Sequence, residues 1–197
     1  MAKQSLRYNF PQKWNVAKRF NRAFFGISEM SRTLSEYFNQ IDQDKVRMLE
    51  IGSYKGESAS LFAMSGVFDE IVCVDPHEGH EIALEAFGDS WVDVKREFYL
   101  NTRHFNNITL FNEYSYNFSK MVPDKSFDFI YIDGNHSIEG LTKDLTEYIP
   151  KCMHIIGGHD YDEQSDKEAN FGVVETVNKI LGKPDVVFSD GSWIKKL

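Results

Sequence analysis

A glycine turn between an apolar segment and a helix-like segment is the feature that most limits how this chain can fold. Residues 46–51 are mostly apolar, the run GSYKG follows at 52–56, and a helix-like segment extends from Glu57 to Met64. Glycine has no Cβ atom, so the backbone can bend sharply there and a ligand can lie against it. The N–H groups that begin the helix favour anionic or acceptor groups. Strand, turn and helix in this order predict the first unit of a nucleotide-binding α/β fold.

Strand-like and helix-like segments alternate along the rest of the chain. Apolar runs bounded by turn residues predict strands at 46–51, 70–75, 108–111, 127–132 and 153–156. Apolar spacing predicts helices at 57–66, 81–87, 91–105, 137–149 and 173–180. Such alternation implies a parallel sheet with helices on both faces, and Asp190-Gly191 within VVFSDGSWIKK predicts a hairpin. We therefore predict a Rossmann-like doubly wound α/β sheet, mostly parallel with a C-terminal antiparallel hairpin.

The first 44 residues are predicted to form a helical cap on a main domain that spans residues 45–197. Residues 1–28 are basic and aromatic without any Asp or Glu, which is also the composition of a targeting segment, so both interpretations stay open. After Gly26, apolar residues recur at helical spacing, and Ser28 is the expected N-cap. The cap is the favoured interpretation because its aromatic residues suit packing on a domain.

Composition excludes several classes of function. The net charge of −8 argues against a general nucleic-acid-binding surface, which needs clustered Lys and Arg. No apolar run approaches the roughly 20 residues that span a bilayer, so no membrane partner is expected. Cys73 and Cys152 lie in apolar segments without metal-binding spacing, which is typical of buried thiols in a reducing compartment. We predict a cytoplasmic protein.

Polar residues follow the predicted strands, where an α/β sheet binds its ligands. They are Glu50 and Gly52 after the first strand, Asp75 after the second, Glu113 and Ser115 after the third, Asp133 and His136 after the fourth, and His159 and Asp160 after the fifth. An acid about 20 residues beyond the glycine turn suits the two hydroxyls of a ribose. Asp75 has this position, although an Asp before Pro76 can also simply form a turn.

Several motifs together resemble the class I S-adenosylmethionine-dependent methyltransferases. The quoted motifs are EIGSYKGES, VDP, FDFIYIDGNHS and GGHDY, and the resemblance covers about residues 46–196. Within that class the chain looks most like macrocin-type sugar O-methyltransferases and cephalosporin-hydroxylase-like proteins. The family usually has a third glycine in its first motif, where this chain has Tyr54.

The resemblance implies a binding site for S-adenosylmethionine. Glu50 with the backbone at Gly52 and Ser53 would hold the methionine end, and Asp75 would bind the ribose hydroxyls. Ser115 would lie at the adenine, and Asp133 beside the sulfonium and the acceptor. The full set of cofactor-binding residues expected from the resemblance is Glu50, Gly52, Ser53, Tyr54, Gly56, Asp75, Pro76, Ser115 and Asp133.

The resemblance also implies a divalent metal at Asp133, His159 and Asp160. His159 stands where a carboxylate is more usual; magnesium prefers oxygen ligands, whereas imidazole suits manganese, iron or zinc. The metal would lower the pKa of an acceptor hydroxyl. His136 is the candidate base that takes its proton, with Asp133 beside it, and a role in supporting a ligand or a helix cap is the alternative. The acidic segment 160–168 is either a plain charged loop or a lid on the acceptor side.

The leading hypothesis is metal-assisted O-methylation of a small molecule, with sugars among the acceptors considered. A metal-independent methyltransferase with His136 as base is a second hypothesis, and a non-catalytic nucleotide-binding module of the same fold is a third. An NAD-binding domain is disfavoured by the missing third glycine and by the terminal hairpin. His77 and His80 could form a further pair, but a solvated loop is the preferred interpretation. The sequence predicts neither the acceptor's identity nor the oligomeric state.

Overall fold

Seven strands in the described part of the chain form one sheet. The computed structural model describes residues 21–78, 90–169 and 171–197. The strands are β1 (Arg47–Ile51), β2 (Glu70–Val74), β3 (Ile108–Phe111), β4 (Phe127–Ile132), β5 (Cys152–Gly158), β6 (Val186–Val187) and β7 (Trp193–Lys196). They lie in the order β3-β2-β1-β4-β5-β7-β6. Neighbours from β3 to β5 are parallel, and β7 is antiparallel to both β5 and β6, which confirms the predicted sheet and hairpin.

The helices in the described ranges mostly follow the predicted pattern. They are α1 (Asn21–Gln40), α2 (Glu57–Ser65), α3 (Trp91–Thr102), α4 (Ser115–Phe118), α5 (Ile138–Tyr148), α6 (Glu163–Ala169) and α7 (Val173–Leu181). Ser137 caps α5 as expected, because its Oγ accepts a hydrogen bond from the N–H of Gly140 at 3.1 Å. The helix predicted at 81–87, His80 and residues 1–20 of the predicted N-terminal cap lie outside the described residues, and the division of the chain at residue 44 stays a prediction.

Three predicted boundaries were wrong. Helix α1 begins before Gly26, so Ser28 lies inside the helix and is not its N-cap. Helix α3 ends at Thr102, three residues early, where the N–H of Phe105 turns back to the carbonyl of Thr102 at 2.9 Å. The segment after β5 contains α6 where a loop was expected, and β5 itself continues through Gly158. Apolar spacing alone did not report these ends, which are the parts of an element that sequence patterns predict least well.

Two apolar cores cover the two faces of the sheet. On one face α1, α2 and α3 pack against strand residues such as Met48 and Phe129. On the other face α4, α5 and α7 pack against residues such as Leu49 and Ile130. Adjacent strand residues point to opposite faces, so strands buried on both sides are mostly apolar, with Glu50 in β1 and Asp128 in β4 as buried acids. The doubly wound arrangement is therefore confirmed.

The strand order reverses beside β1, and this reversal positions the candidate site. Chain connections from β1 and β4 leave to opposite sides, which opens a crevice at the carboxyl ends of these two strands. The N–H of Gly52 donates to the carbonyl of Val74 at 2.9 Å, and the N–H of Asp133 donates to the carbonyl of Ile51 at 2.8 Å. The ends of β1, β2 and β4 are thus held together at one edge of the sheet.

Both cysteines are buried free thiols. Among the described helices, none is both long enough and apolar enough to cross a membrane.

Candidate active site

The turn after β1 brings two loops into direct backbone contact. Gly52, Tyr54 and Gly56 have φ angles of 83°, 43° and 70°, in the left-handed region. A Cβ atom on Gly52 would overlap the carbonyl group of Asp133 and come within 2.6 Å of Cα of Gly134. Glycine is therefore required at Gly52 both for its φ angle and for the close approach of the loop after β4.

Glu50 supplies a buried acid beneath this turn. Its exposed fraction is 0%, and Oε1 accepts no hydrogen bond from the residues that the structure describes. Burial, together with the charges of Asp133 and Asp75, raises the pKa of Glu50 to about 8, against the hydrogen bonds of Ser58 and Cys73. The hydroxyl of Ser53 is also buried without a partner in the described ranges. Buried polar atoms of this kind are costly unless a ligand satisfies them, and an ammonium group would suit the carboxylate.

Asp75 ties the loop after β2 to the turn after β1. Its two carboxylate oxygens accept hydrogen bonds from the N–H of Tyr54 at 2.8 Å and from the N–H of His77 at 2.7 Å. An ionised carboxylate has about four acceptor sites, so both oxygens can still accept hydroxyl groups. The side chain of His77 is buried and its Nε2 lies 2.9 Å from the carbonyl oxygen of Tyr54. The preferred interpretation of His77 as part of a solvated loop was wrong, because the loop folds back on the glycine turn.

Ser115 lies at the first position of α4, beside the same crevice. Its Oγ donates to Oδ1 of Asp144 at 2.6 Å, and its carbonyl accepts the hydroxyl of Tyr148 at 2.6 Å. Burial is the main reason that the pKa of Asp144 is raised to about 6. Pro76 is joined to β3 through its carbonyl, which accepts a hydrogen bond from the side chain of Asn112 at 2.6 Å. Asp144 and Asn112 position these predicted residues, and only the fold reveals that they do.

Two carboxylates and two imidazoles meet where β4 and β5 end. Nε2 of His136 lies 3.3 Å from Oδ1 of Asp133 and 3.1 Å from Oδ2 of Asp160. Nδ1 of His159 lies 3.1 Å from Oδ1 of Asp160. His136 therefore bridges the two carboxylates, and the second imidazole lies on the far side of Asp160.

The acids and imidazoles of this cluster shift one another's protonation. Burial lowers the pKa of His136, but hydrogen bonds and charge from Asp133 and Asp160 outweigh it and raise the pKa to about 10. The same balance, with Asp190 contributing charge, raises the pKa of His159 to about 9. Burial would raise the pKa of Asp160, yet the two histidines hold it well below its usual value. Without another cation present, both rings carry a positive charge at neutral pH.

Asp133, His159 and Asp160 also have the geometry of a divalent cation site. One ligand atom from each residue can be chosen so that all three lie within 4.8 Å of one another. Two carboxylate oxygens and one imidazole nitrogen form a donor set that suits a borderline divalent cation. A cation would replace the neutralisation that the imidazolium rings supply to the two carboxylates. The residues present therefore fit a metal.

An aromatic ring packs against His136 on the side of the segment after β5. The ring of Phe171 stacks on that of His136 with centroids 4.6 Å apart and an interplanar angle of 22°. The N–H of Gly172 donates to the carbonyl of His136 at 3.0 Å. The carboxylate of Asp166 accepts the N–H groups of Val173 and Val174 at 3.0 Å and 2.9 Å, so α6 caps α7. The segment predicted as a loop or lid is thus partly helical and anchored to His136.

The structure brings the predicted site residues together at one edge, but the sequence missed several that position them. Glu50, Asp75 and Asp133 lie close enough at neighbouring strand ends that both aspartates act on the pKa of Glu50, and their roles toward a ligand stay predictions. The missed residues are His77, Asn112, Asp144, Phe171 and Asp190. Asn112 directly follows β3 and His77 lies three residues beyond β2, which were usable signals, whereas Asp144, Phe171 and Asp190 lie in a helix or in loops whose patterns carry no mark of the site.

Comparisons with known proteins agree with this geometry. The profile of a family described as "Methyltransferase domain" matches residues 49–161. A solved structure of a protein from Corynebacterium glutamicum is similar with a TM-score of 0.59 and 12% identity, covering 93% of this chain and 90% of that one. An O-methyltransferase from Bacillus cereus, solved with SAH, has a TM-score of 0.56 and 14% identity, with coverage of 94% and 83%.

A sugar-modifying enzyme also has a similar structure. The TDP-rhamnose 3'-O-methyltransferase CalS11 of calicheamicin biosynthesis has a TM-score of 0.53 and 15% identity, covering 85% of this chain and 78% of that one. No curated protein sequence matches the chain significantly. At these identities the solved structures establish the fold.

Proposed function

Since this chain belongs to the methyltransferase domain family, we propose that it transfers the methyl group of S-adenosylmethionine to a hydroxyl group of a small molecule. The observation that carries the proposal is the gathering of three carboxylates around one glycine turn. Glu50 and Asp75 contribute two of them, and Asp133 lies against the backbone of Gly52. A positively charged adenosyl sulfonium with an ammonium group matches this set in charge and in hydrogen bonding.

Each of the cofactor's polar groups has a candidate partner. The unsatisfied Oε1 of Glu50 and the hydroxyl of Ser53 suit the amino-acid end, and the N–H groups that begin α2 after Gly56 suit its carboxylate. Asp75, held by the N–H groups of Tyr54 and His77, presents its free lone pairs to the ribose. Pro76 and Ser115 flank the place where the adenine would lie. Methyl transfer is an in-line displacement, so most of the catalysis required is alignment.

We propose that Asp133, His159 and Asp160 hold a divalent cation such as Mg²⁺ or Mn²⁺. Such a cation supplies Lewis acidity, which lowers the pKa of a bound hydroxyl. Asp133 and Asp160 are also the groups that keep His136 protonated. When these carboxylates are engaged elsewhere, His136 loses that support, and its Nε2 can accept the proton of the hydroxyl. Phe171 keeps the ring in this orientation.

Metal-independent transfer is the second candidate function, and the bridging contact of His136 to Asp133 and Asp160 favours it as a complete acid–base unit. A sugar is the acceptor class to test first, on the resemblance of the DGNH and GGHDY motifs to sugar O-methyltransferases. The net charge of −8 supports a partner other than nucleic acid, and the free thiols support a cytoplasmic location.

Calorimetry with S-adenosylhomocysteine tests the cofactor site, and transfer of a labelled methyl group to a panel of sugars and phenols tests the reaction. We expect micromolar binding, and activity that is lost with EDTA and restored by a divalent cation. Binding without chelator sensitivity would favour the metal-independent reaction. Absence of S-adenosylhomocysteine binding to the folded protein would contradict both, and would favour a non-catalytic module.

A further inference from the structure

A buried carboxylate that was not among the expected site residues lies behind His159. Asp190, in the loop between β6 and β7, has a side chain that is 3% exposed. Its Oδ1 accepts the N–H of Ser192 at 2.9 Å, whereas Oδ2 has no hydrogen-bond partner among the described residues. Oδ2 lies 3.9 Å from Nε2 of His159. The unsatisfied oxygen therefore faces the outer nitrogen of this ring.

Helix α1 holds Asp190 in this place. A Cβ atom on Gly26 would overlap Cγ and both carboxylate oxygens of Asp190, so only a glycine allows the helix to lie directly over the carboxylate. This contact also explains why a glycine is found inside α1, where it costs about 1 kcal/mol relative to alanine. The side chain of Asp190 is 3% exposed, and among the described residues His159 is the basic side chain that lies within 4 Å of its carboxylate.

The two nitrogens of His159 consequently have different surroundings. Nδ1 faces Asp160, a member of the cation site, at 3.1 Å. Nε2 faces Asp190, which lies outside that site. Metal-binding histidines usually donate their other N–H to a carboxylate or carbonyl, which fixes the tautomer and orients the ring. Asp190 is the carboxylate on that side of the His159 ring, at 3.9 Å, a separation that must shorten for a hydrogen bond to form when a cation is bound.

Resting on the proposed metal-assisted function, we propose that Asp190 is a positioning residue that holds His159 with Nδ1 toward the cation and Nε2–H toward its own carboxylate. The cation would then have two carboxylate oxygens and Nδ1 of His159 as protein ligands, rather than three oxygens. The site therefore selects a cation that accepts nitrogen, such as Mn²⁺, Fe²⁺ or Co²⁺, over Mg²⁺.

The affinity of the full-length protein for Mn²⁺ alone, measured by EPR of free Mn²⁺, tests this role, with Mg²⁺ measured by competition. We expect wild type to prefer Mn²⁺, and Asp190→Asn to weaken Mn²⁺ binding by about 10–100-fold. Asp185→Asn is the matched control, because Asp185 precedes the same hairpin but contacts Lys195 and the N–H of Lys196. It should leave the affinity unchanged.

A second substitution separates positioning from a general loss of structure. His159→Asn keeps a ligand atom near Nδ1 but cannot reach Asp190, so Mn²⁺ selectivity should fall, and adding Asp190→Asn should have no further effect. An equal loss from Asp190→Asn in both backgrounds would mean a structural role and would overturn the proposal, as would unchanged Mn²⁺ affinity in Asp190→Asn.

The tautomer of His159 gives a test on wild-type protein, which remains valid if the variants fail to fold. In ¹⁵N NMR of the Zn²⁺-loaded protein, Nε2 should carry the proton and Nδ1 the metal; the reverse assignment would refute the proposal. If S-adenosylhomocysteine binds but Mn²⁺ does not, the proposed role of Asp190 is refuted, whereas the proposed cofactor site is supported. Mn²⁺ binding without S-adenosylhomocysteine binding would instead contradict only the proposed function.

Discussion

Gly52 and Asp133 are packed so closely that a Cβ atom on the first would overlap the carbonyl group of the second. The contact joins the loops after β1 and β4 and places the two loops on either side of the crevice. Gly52→Ala should lower the free energy of unfolding by about 2–4 kcal/mol, from left-handed strain and overlap together, and should abolish S-adenosylhomocysteine binding. Denaturant unfolding and calorimetry measure the two effects.

Gly66→Ala is the control for this substitution. Gly66 ends α2 with a φ of 70°, so it shares the backbone strain but lies at the opposite end of the helix. We expect a loss of about 1 kcal/mol without any change in ligand affinity. Equal ligand affinity in wild type and Gly52→Ala would show that the crevice is not the cofactor site.

Glu50→Gln should stabilise the folded protein and weaken cofactor binding. The folded-state pKa of Glu50 is about 8, above its ordinary 4.5, so the folded protein binds more protons than the unfolded chain between these values. Stability from this group therefore falls as pH rises from 4.5 to about 8, and the full penalty holds above pH 8. Glutamine does not ionise, so the variant should be more stable than wild type by roughly 2–4 kcal/mol at pH 9. At pH 4.5 the free energies of unfolding of the two proteins should be nearly equal.

The same variant should bind S-adenosylhomocysteine about 10–100-fold more weakly, because the ammonium group loses a charged partner. Glu70→Gln is the matched control, since Glu70 lies exposed at the start of β2 beside Arg47. It should change neither quantity by more than about 0.5 kcal/mol. A variant that lost stability at pH 9 would contradict the buried, unpaired state of Glu50.

Asp75→Ala should weaken cofactor binding by about 1–3 kcal/mol, because two ribose hydroxyls lose their acceptor. Asp69→Ala is its control at the other end of β2, where Oδ2 of Asp69 accepts the N–H of Val46 at 2.9 Å. Both variants lose a side-chain-to-backbone link, so both should lose stability. Only Asp75→Ala should lose affinity in calorimetry, and equal affinities would place the ribose elsewhere.

Phe171→Leu should lower kcat about tenfold without changing the Kd for S-adenosylhomocysteine, because the His136 ring loses its stacking partner and its orientation. Tyr161→Phe is the control, since it removes only the hydrogen bond from the Tyr161 hydroxyl to Oδ1 of Asn178. Its kcat should stay near wild type. A change in Kd rather than in kcat for Phe171→Leu would mean that the ring contacts the cofactor.

The pH–rate profile should distinguish metal-independent from metal-assisted methyl transfer. With its carboxylate partners free to hold it protonated, His136 has a pKa of about 10, so the basic form grows about tenfold per pH unit below that value. Activity that persists in EDTA should therefore rise steadily to about pH 10. With a divalent cation added, the rise should end at lower pH. Identical profiles with and without the cation would argue that Asp133 and Asp160 do not hold it.

The order of strands and helices was largely predictable because buried parallel strands must be apolar on both faces. The nearly continuous apolar run of β4 is typical of a strand buried on both faces. The tail around Asp190-Gly191 is a strong local hairpin pattern. Helix ends were less predictable. Gly26 lies inside α1 and packs against Asp190, a contact across most of the chain that no window of neighbouring residues contains.

The sequence by itself determined the mostly parallel sheet with its terminal hairpin and the acids at or near the ends of its strands, because these depend on local periodicity and on the geometry of parallel sheets. The strand order, and with it the reversal beside β1, came from the tertiary structure. Only the tertiary structure decided that Glu50 is buried with Oε1 unsatisfied, that His136 bridges Asp133 and Asp160, and that Asp190 faces His159. Protonation, orientation and ligand choice depend on distances of a few ångströms between residues far apart in the chain. Those distances arise only when separate elements pack together.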